Sequence, residues 1–400
     1  MADQKEVQEH GRMKVSRRNV LKAAMAAGGA AALGFPMVVK AQGPTTMRWQ
    51  STWPQKDIFH EYALDFAKKV NDMTGGDLKI EVLPAGAVVP AFQLLDAVSK
   101  GTLDGGHGVL VYHYGKSNAL ALWGSSPAFG MDANTLLAWH KYGGGKDLLN
   151  KLYASIGANV VSFPYGPMPT QPLGWFKKPI TKADDFKGLK FRTVGISIDL
   201  FTGMGAAVNA LPGGEIVPAM DRGLLDAAEF NNASSDRVLG FPDVAKVCML
   251  QSYHQNGEQF EITFNKTKYD ALPAKMKALI EYAVEAASQD MSWKAIDRYS
   301  KDYIEMQTKD KVRFYRTPDS VLQKQLDIFD TVLAKYSAQT PMFKEIAESQ
   351  RQFAQRAVKW YLDTQVGSRM AYNHYFVKKA GAKPAAPAEK PAAKPEPKKS

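Results

Sequence analysis

VVPAFQLLDAVSKGTLDGG (residues 88–106) and EIVPAMDRGLLDAAEF (residues 215–230) decide how this chain is read. Each runs Val-Pro-Ala, then a helical segment, then a basic residue with glycine (Lys100-Gly101, Arg222-Gly223), then Leu-Asp and an apolar restart. A glycine after a helix takes the left-handed C-cap, and the apolar residues beyond it begin a strand. Each stretch therefore predicts helix, tight turn, strand. Two such units more than a hundred residues apart predict two similarly built lobes.

Outward from the first unit, TMRWQSTWP (46–54) alternates as a strand, and Ile58 to Val70 has helical spacing with Phe59, Tyr62, Ala63, Phe66 and Val70 on one face. Gly75-Gly76 breaks the chain, and DLKIEVLPAG (77–86) gives a second strand. Beyond the second unit the pattern turns helical. Residues 274–311 hold no Gly or Pro, and Leu279, Tyr282, Ala283, Ala286, Met291 and Ile296 recur on helical spacings. About 36 residues at 1.5 Å rise make a rod of roughly 54 Å, longer than one lobe. KVRFYRTP (311–318) reads as a returning strand, and 318–376 as helices broken at Gln339-Thr340-Pro341. The expected fold is α/β, two lobes with a long helical spine, C-terminal helices and a ligand cleft between them, an architecture that resembles the two-lobed periplasmic-binding-protein-like fold.

Charge excludes one class of partner. Of the formal +11, residues 1–41 carry +4 and residues 378–400 carry +5, which leaves +2 for the body. Nucleic-acid binding needs positive charge clustered on the folded part, so no nucleic-acid partner is expected. Cys248 is the one cysteine, set in the apolar run Val247–Leu250, and reads as a buried inert thiol. Ser16-Arg17-Arg18-Asn19-Val20-Leu21-Lys22, the Ala/Gly-rich run Ala23–Val39 and Val39-Lys40-Ala41 follow the order of an export signal. The arginine pair resembles the twin-arginine (Tat) motif, so residues 1–41 are expected to be a cleaved Tat signal and the mature protein periplasmic. Residues 42–377 form the two-lobed body. Residues 378–400 form an Ala/Pro/Lys tail of disordered composition.

No Gly-x-Ser-x-Gly elbow, Walker loop or His-x-x-x-His spacing is present. Gly203-Met204-Gly205 lacks the third glycine of a dinucleotide fingerprint, and His107 and His113 flank an apolar run as structural or cleft-lining residues. What remains is a set of single polar residues at strand ends: Gln171, Arg192, Glu229 with Phe230, Gln255 and Glu258. Arg192 ends the strand in GLKFRTVG (188–195), where a guanidinium is either a solvated charge or an anion site. Gln and Arg can fix a carboxylate, while Glu and carbonyl oxygens can hold a hard cation. Trp53, Phe92, Trp175 and Phe230 are candidates for an apolar pocket wall or for the core.

PAGAVVPAFQLLDAVSKGTLDGGHG (84–108), YGGGKDLLNKLYA (142–154), QPLGWFKKPI (171–180), DFKGLKFRTVG (185–195), GGEIVPAMDRGLLDAAEF (213–230) and FEITFNKTKYDAL (260–272) together resemble the periplasmic receptors of TRAP transporters, the DctP superfamily. The nearest branch is the TakP-like one that binds 2-oxo acids and lactate. The resemblance spans roughly residues 44–376. It implies a receptor that delivers a small organic acid to small and large permease subunits, driven by an ion gradient, with no catalytic residues. A homodimer through the C-terminal helices is compatible with it. It also implies that Arg192 pairs with the substrate carboxylate, with Gln171 and Phe230 in the same substrate site. A cation would be held by Gln171, Glu229, the Phe230 backbone carbonyl and a carboxylate in the next segment. This chain has Gln255 where that acid is expected. Fewer carboxylates weaken a divalent site, so sodium, or no metal, is expected over calcium, with no organic cofactor. Glu258 is expected to reach that place only if the loop shifts by three residues. The alternatives are a periplasmic enzyme using Glu229 or His254 as base, and a receptor for a signalling partner.

Overall fold

A computed structural model describes residues 43–377. The predicted Tat signal and the Ala/Pro/Lys tail lie outside the described residues. Strands β1 (Thr45–Ser51), β2 (Leu78–Leu83), β3 (Gly105–Gly108), β4 (Val160–Met168), β5 (Gly174–Phe176), β6 (Lys190–Arg192), β7 (Ala207–Asn209), β8 (Ala227–Ala228), β9 (Val247–Leu250), β10 (Glu258–Asn265) and β11 (Arg313–Arg316) form two sheets. Their orders are β2-β1-β3-β10-β4 and β11-β9-β5-β8-β6-β7. The two sheets mark the two lobes.

Each sheet has one interior strand that opposes both its neighbours, β10 in the first and β5 in the second. Both are entered by crossing from the other lobe. Residues 169–173 carry the chain from β4 to β5, and residues 251–257 carry it back from β9 to β10. The helix Ala274–Thr308 crosses a third time, packing on the helix Ile58–Met73 and β4 of one lobe and on the helix Ala233–Leu239 of the other. Its 35 residues span about 52 Å. The helix Asp319–Gln339 then packs on the second lobe's helix Ser197–Gly203, and Pro341–Thr364 returns to the first lobe's helices Ala133–Tyr142 and Gly145–Ser155.

The duplicated unit is real in geometry. Gly101 and Gly223 both end a helix with positive φ, +76° and +72°. Asp104 and Asp226, three residues on, play one role twice. The Asp104 amide donates to the Arg48 carbonyl while its carboxylate accepts the Arg48 amide at 2.8 Å. The Asp226 amide donates to the Lys190 carbonyl, and its carboxylate accepts the Lys190 amide at 3.0 Å. Each pair zips the new strand to its neighbour. The Val-Pro-Ala echo does not share geometry: Pro90 precedes its helix, whereas Pro218 lies inside Gly213–Asp221.

The spine's buried face is also displaced from the expected one. Ile280, Ala283, Val284, Ala287, Met291 and Ala295 are buried, whereas Tyr282 is 68% and Ile296 71% exposed. Ala283 and Met291 lie on the buried face as expected, and the packing completes it with Ile280, Val284 and alanines in place of Tyr282 and Ile296. Cys248 is buried in β9, and desolvation holds its thiol well above the ordinary range.

The lobes meet through direct polar contacts. Ser125 Oγ, in the first lobe, lies 2.9 Å from Ser197 Oγ of the second and accepts the Ser197 amide at 3.0 Å. On another element, Ser235 Oγ donates to Asp57 Oδ1 at 2.9 Å.

Candidate functional site

Arg192 and Glu229 emerge from neighbouring parallel strands. Arg192 pairs in register with Ala228, so the C-terminal ends of β6 and β8 place both side chains side by side. Such ends, facing a crevice, are where open α/β sheets bind ligands. Arg192 is 1% exposed, which removes the solvated-charge reading. Its Nη1 donates to Glu229 Oε1 at 2.8 Å and to the Glu229 carbonyl at 3.3 Å, while Nε and Nη2 donate to the Leu211 carbonyl at 2.9 and 2.7 Å. A guanidinium has five N–H groups, so this count leaves one on Nη2, and the Tyr112 phenol lies beside the guanidinium as a further partner. The Phe230 ring lies 5.7 Å from the guanidinium carbon and stacks on Phe241. A Cβ at Gly213 would stand 2.5 Å from the Phe230 ring, so glycine there makes its seat.

The two lobe crossovers supply the opposite wall. The Gln171 amide donates to the Gln255 carbonyl at 3.3 Å, tying one crossover to the other. A turn over His254–Gly257 then sets residues 255 and 258 against the same space. Gln171 Nε2 donates to Glu258 Oε2 at 2.7 Å, and Gln255 Nε2 donates to the same oxygen at 3.3 Å. Both amides thus spend their N–H groups on Glu258 and turn their oxygens away. This corrects the expectation at Glu258: no displaced loop is needed, because the turn itself brings the carboxylate beside Gln255. The site keeps two carboxylates, so Gln255 does not leave it an acid short.

These residues line one small cavity, about 20 Å³ of it open to the centre of a water-sized sphere, with Trp53, Phe59, Val109, Tyr112, Met168, Val194 and Asn231. Four of its buried oxygens have no hydrogen-bond donor: Gln171 Oε1, Glu229 Oε2, Gln255 Oε1 and Glu258 Oε1. An unsatisfied buried acceptor costs about 1–3 kcal/mol, so four around one cavity leave room for a donor or a cation that a bound ligand brings. Oxygens alone, two of them from carboxylates, fit a hard cation such as sodium or calcium. Burial pushes the Glu258 carboxyl up to about 8, reinforced by the nearby Glu229 charge and opposed by Arg192 and the Gln171 hydrogen bond. Burial likewise pushes the Tyr112 phenol up to about 12, so the wall carries an O–H at neutral pH. His254 Nε2 is 3.8 Å from Glu229 Oε2.

The aromatic candidates separate. Trp53 and Phe230 line the cavity. Trp175 does not: its Nε1 donates to Asp236 at 2.7 Å within the second lobe. Phe92 stands behind the wall, edge-on to Tyr112 at 4.9 Å. His107 and His113 are internal, the first 2.6 Å from the Tyr165 hydroxyl and the second paired with buried Glu261 at 3.3 Å. Met168 gives no signal in the sequence. A register shift between Gln259 and Phe260 leaves an extra residue in β4, where Gly166 has φ +62°, and the bulge turns Met168 into the cavity. A larger groove of about 230 Å³ between the helix Ala133–Tyr142, β4 and the spine is rimmed by Lys141 and Glu285, which pair with each other, and lies apart from these residues.

Known proteins carry the same frame. The sequence profile of the DctP family, bacterial extracellular solute-binding protein family 7, matches residues 50–340. A monocarboxylate 2-oxoacid-binding periplasmic protein of Nostoc sp. is 32% identical over 80% of this chain and 87% of its own length. A TRAP transporter solute-binding protein from Bordetella bronchiseptica, a mixed-occupancy dimer with copurified calcium and picolinate in one active site and an apo second site, superposes with a TM-score of 0.78 at 27% identity, over 84% of this chain and 98% of that one. A TRAP periplasmic solute-binding protein from Pseudoalteromonas atlantica with bound sodium and pyruvate gives 0.76 at 27% identity, over 83% and 99%. With its fold, its paired lobes and this match along most of its length, the chain belongs to the DctP family of bacterial extracellular solute-binding proteins.

Proposed function

We propose that this protein is the periplasmic receptor of a TRAP-type transporter and captures a small 2-oxo or 2-hydroxy monocarboxylate for two permease subunits in the membrane. The observation that carries the reading is a cavity between lobes holding a buried guanidinium and four donorless oxygens. Arg192 would take the ligand carboxylate as a charge-assisted pair. Gln171, Glu229, Gln255 and the Phe230 carbonyl would hold the cation, which when bound supplies positive charge beside the ligand oxygens. The cavity is small, with about 20 Å³ open to the centre of a water-sized sphere, which supports a compact acid over a drug-sized ligand. The Nostoc relative and the pyruvate-bound neighbour support that class. No Ser, Thr, Cys or Lys lines the cavity, and Glu229 is committed to Arg192, which supports binding without turnover.

Calorimetry with pyruvate tests this directly. Wild-type protein should bind it without consuming it, and Arg192→Ala should remain folded and lose affinity by roughly 30- to 4000-fold, the 2–5 kcal/mol cost of removing one partner of a buried charge pair. Wild-type affinity in the folded variant would sink the assignment.

The reading extends to both ends of the chain. Residues 1–41 would direct Tat export, so Arg17→Lys with Arg18→Lys, which keeps charge and removes the guanidinium forks, should leave the protein unprocessed in the cytoplasm. Its normal appearance in periplasmic extracts would refute the Tat route. The C-terminal helices would join two copies of the chain as a homodimer.

A further inference from the structure

We infer that Gly214 is the residue that lets the lobes shut over the ligand: it is the seat for Pro54 of the opposite lobe, and a side chain at this position props the cleft open. The inference rests on the receptor reading above and adds to it a residue on which retention of the ligand depends.

An acid cannot reach the site as the lobes stand. Arg192, Gln171, Glu229, Gln255 and Glu258 are each at most 3% exposed, and the cavity they line is barely open to a water-sized sphere. Entry therefore requires the lobes to part, and capture requires them to shut again. The strands joined by the crossovers are neighbours within their sheets, β10 beside β4 in the first and β9 beside β5 in the second. Pro54 follows β1, which β3 separates from β10. Gly214 follows β7, the edge strand that β6 and β8 separate from β5. The two residues thus meet on the side of the cleft away from the crossovers, where a hinged opening moves the lobes farthest.

The contact is tight and lies at the rim of the site. A Cβ at Gly214 would stand 3.0 Å from Pro54 Cγ and 3.9 Å from Pro54 Cδ, with nothing else within 4 Å. Trp53, next to Pro54, lines the cavity, and Leu211, three residues before Gly214, gives Arg192 its carbonyl. Two other glycines show why position 214 isolates closure. A Cβ at Gly213 meets Phe230 of its own lobe, so a side chain there disturbs the packing whether the lobes are apart or shut. Gly195 faces Ser125 of the first lobe, with 2.6 Å from its Cβ position to the hydroxyl, but its φ of +66° strains a side chain in either state. Gly214 is exposed, has no positive φ and lies in the first turn of the helix Gly213–Asp221, where alanine and leucine are better helix formers than glycine. A side chain there clashes only with the opposite lobe and only when the lobes are shut. It acts on the open–shut population, and the apparent affinity falls by the share of the shut state that is lost.

The test is stopped-flow tryptophan fluorescence of full-length Gly214→Ala and Gly214→Leu with pyruvate, in buffer holding both sodium and calcium. Both variants should keep a ligand-free melting temperature at or above wild type, because glycine is the poorer helix former. Pyruvate should nevertheless leave faster, by roughly 5- to 150-fold in Gly214→Leu, the range for overpacking a tight contact, and by less in Gly214→Ala, with the association rate unchanged. The contact itself is tested without ligand. Pro54→Cys with Gly214→Cys should cross-link on oxidation with copper phenanthroline, the native Cys248 being buried, and the oxidised protein should no longer exchange pyruvate until it is reduced. Wild-type dissociation from folded Gly214→Leu would overturn the inference, as would an effect confined to association, a lowered ligand-free melting temperature in both variants, or a cysteine pair that does not cross-link. Pyruvate failing to bind wild type would instead defeat the receptor reading, and the cross-link alone would then decide whether the lobes shut at this pair.

Discussion

At the scale of single residues, burial decides what a charge is for. Arg192 is ambiguous in sequence because a strand-end arginine can face solvent or an anion. Its near-complete burial beside Glu229 removes the solvent reading, since a buried guanidinium persists only with partners. Asp57 is the converse case. It caps the helix Ile58–Met73 through the Phe59 amide and accepts Ser235 from the other lobe, yet it has no cationic partner in contact. Desolvation therefore pushes its carboxyl up to about 6 from 3.8. The folded state holds a proton between about pH 4 and 6 that the unfolded state releases. The stability this gives is complete below pH 4 and lost as pH rises through 6, by about 3 kcal/mol at most. Asp57→Asn keeps the Oδ1 acceptor and cannot ionise. The variant's unfolding free energy in urea, relative to wild type, should rise by about that much between pH 4 and 7 and then level off. A pH-independent difference would show that Asp57 does not hold this proton.

At the scale of elements, local chemistry is legible wherever it acts within a few residues. The helix–glycine–strand units are readable because a left-handed C-cap needs glycine whatever surrounds it. Gly223 has φ +72°, and a Cβ added there would meet nothing within 4 Å, so its value is conformational only. Gly223→Ala should cost about 1–2 kcal/mol, and Gly223→Asn less, because asparagine tolerates the left-handed region. An unchanged urea midpoint in Gly223→Ala would reject the cap. The spine shows where local reading stops. Its length and continuity follow from the absence of Gly and Pro. Its buried face does not, because two lobes and several helices contact it from different sides, and no single apolar stripe describes them.

At the scale of the molecule, the C-terminal end is unfinished in one chain. The helix Ser368–Phe376 buries none of its residues, and Met370, Tyr372, Tyr375 and Phe376 are all exposed, with Trp360 and Leu362 upstream. Exposed apolar clusters of this kind mark interaction surfaces, and the Bordetella neighbour is a dimer. A second copy of this chain is the proposed cover. Light scattering should give a dimer for the full chain, and Tyr375→Ser with Phe376→Ser should shift it toward monomer without lowering the stability of the lobes, since neither residue is buried within its own chain. A monomeric wild-type protein at micromolar concentration would exclude this interface.

Periodicity, glycine caps and strand ends act along the chain, and they were enough to read the two lobes, the spine and the strand-end placement of Arg192 and Glu229, whereas Gln171 lies in the crossover between β4 and β5. Membership of the cavity came from contacts between distant segments. The bulge at Gly166 admitted Met168, the turn over His254–Gly257 brought Glu258 to Gln255, and lobe packing sent Trp53 to the wall and Trp175 to the core. A cavity wall is made where crossovers, sheets and helices from far parts of the chain meet, so its members are fixed by contacts that no local spacing encodes.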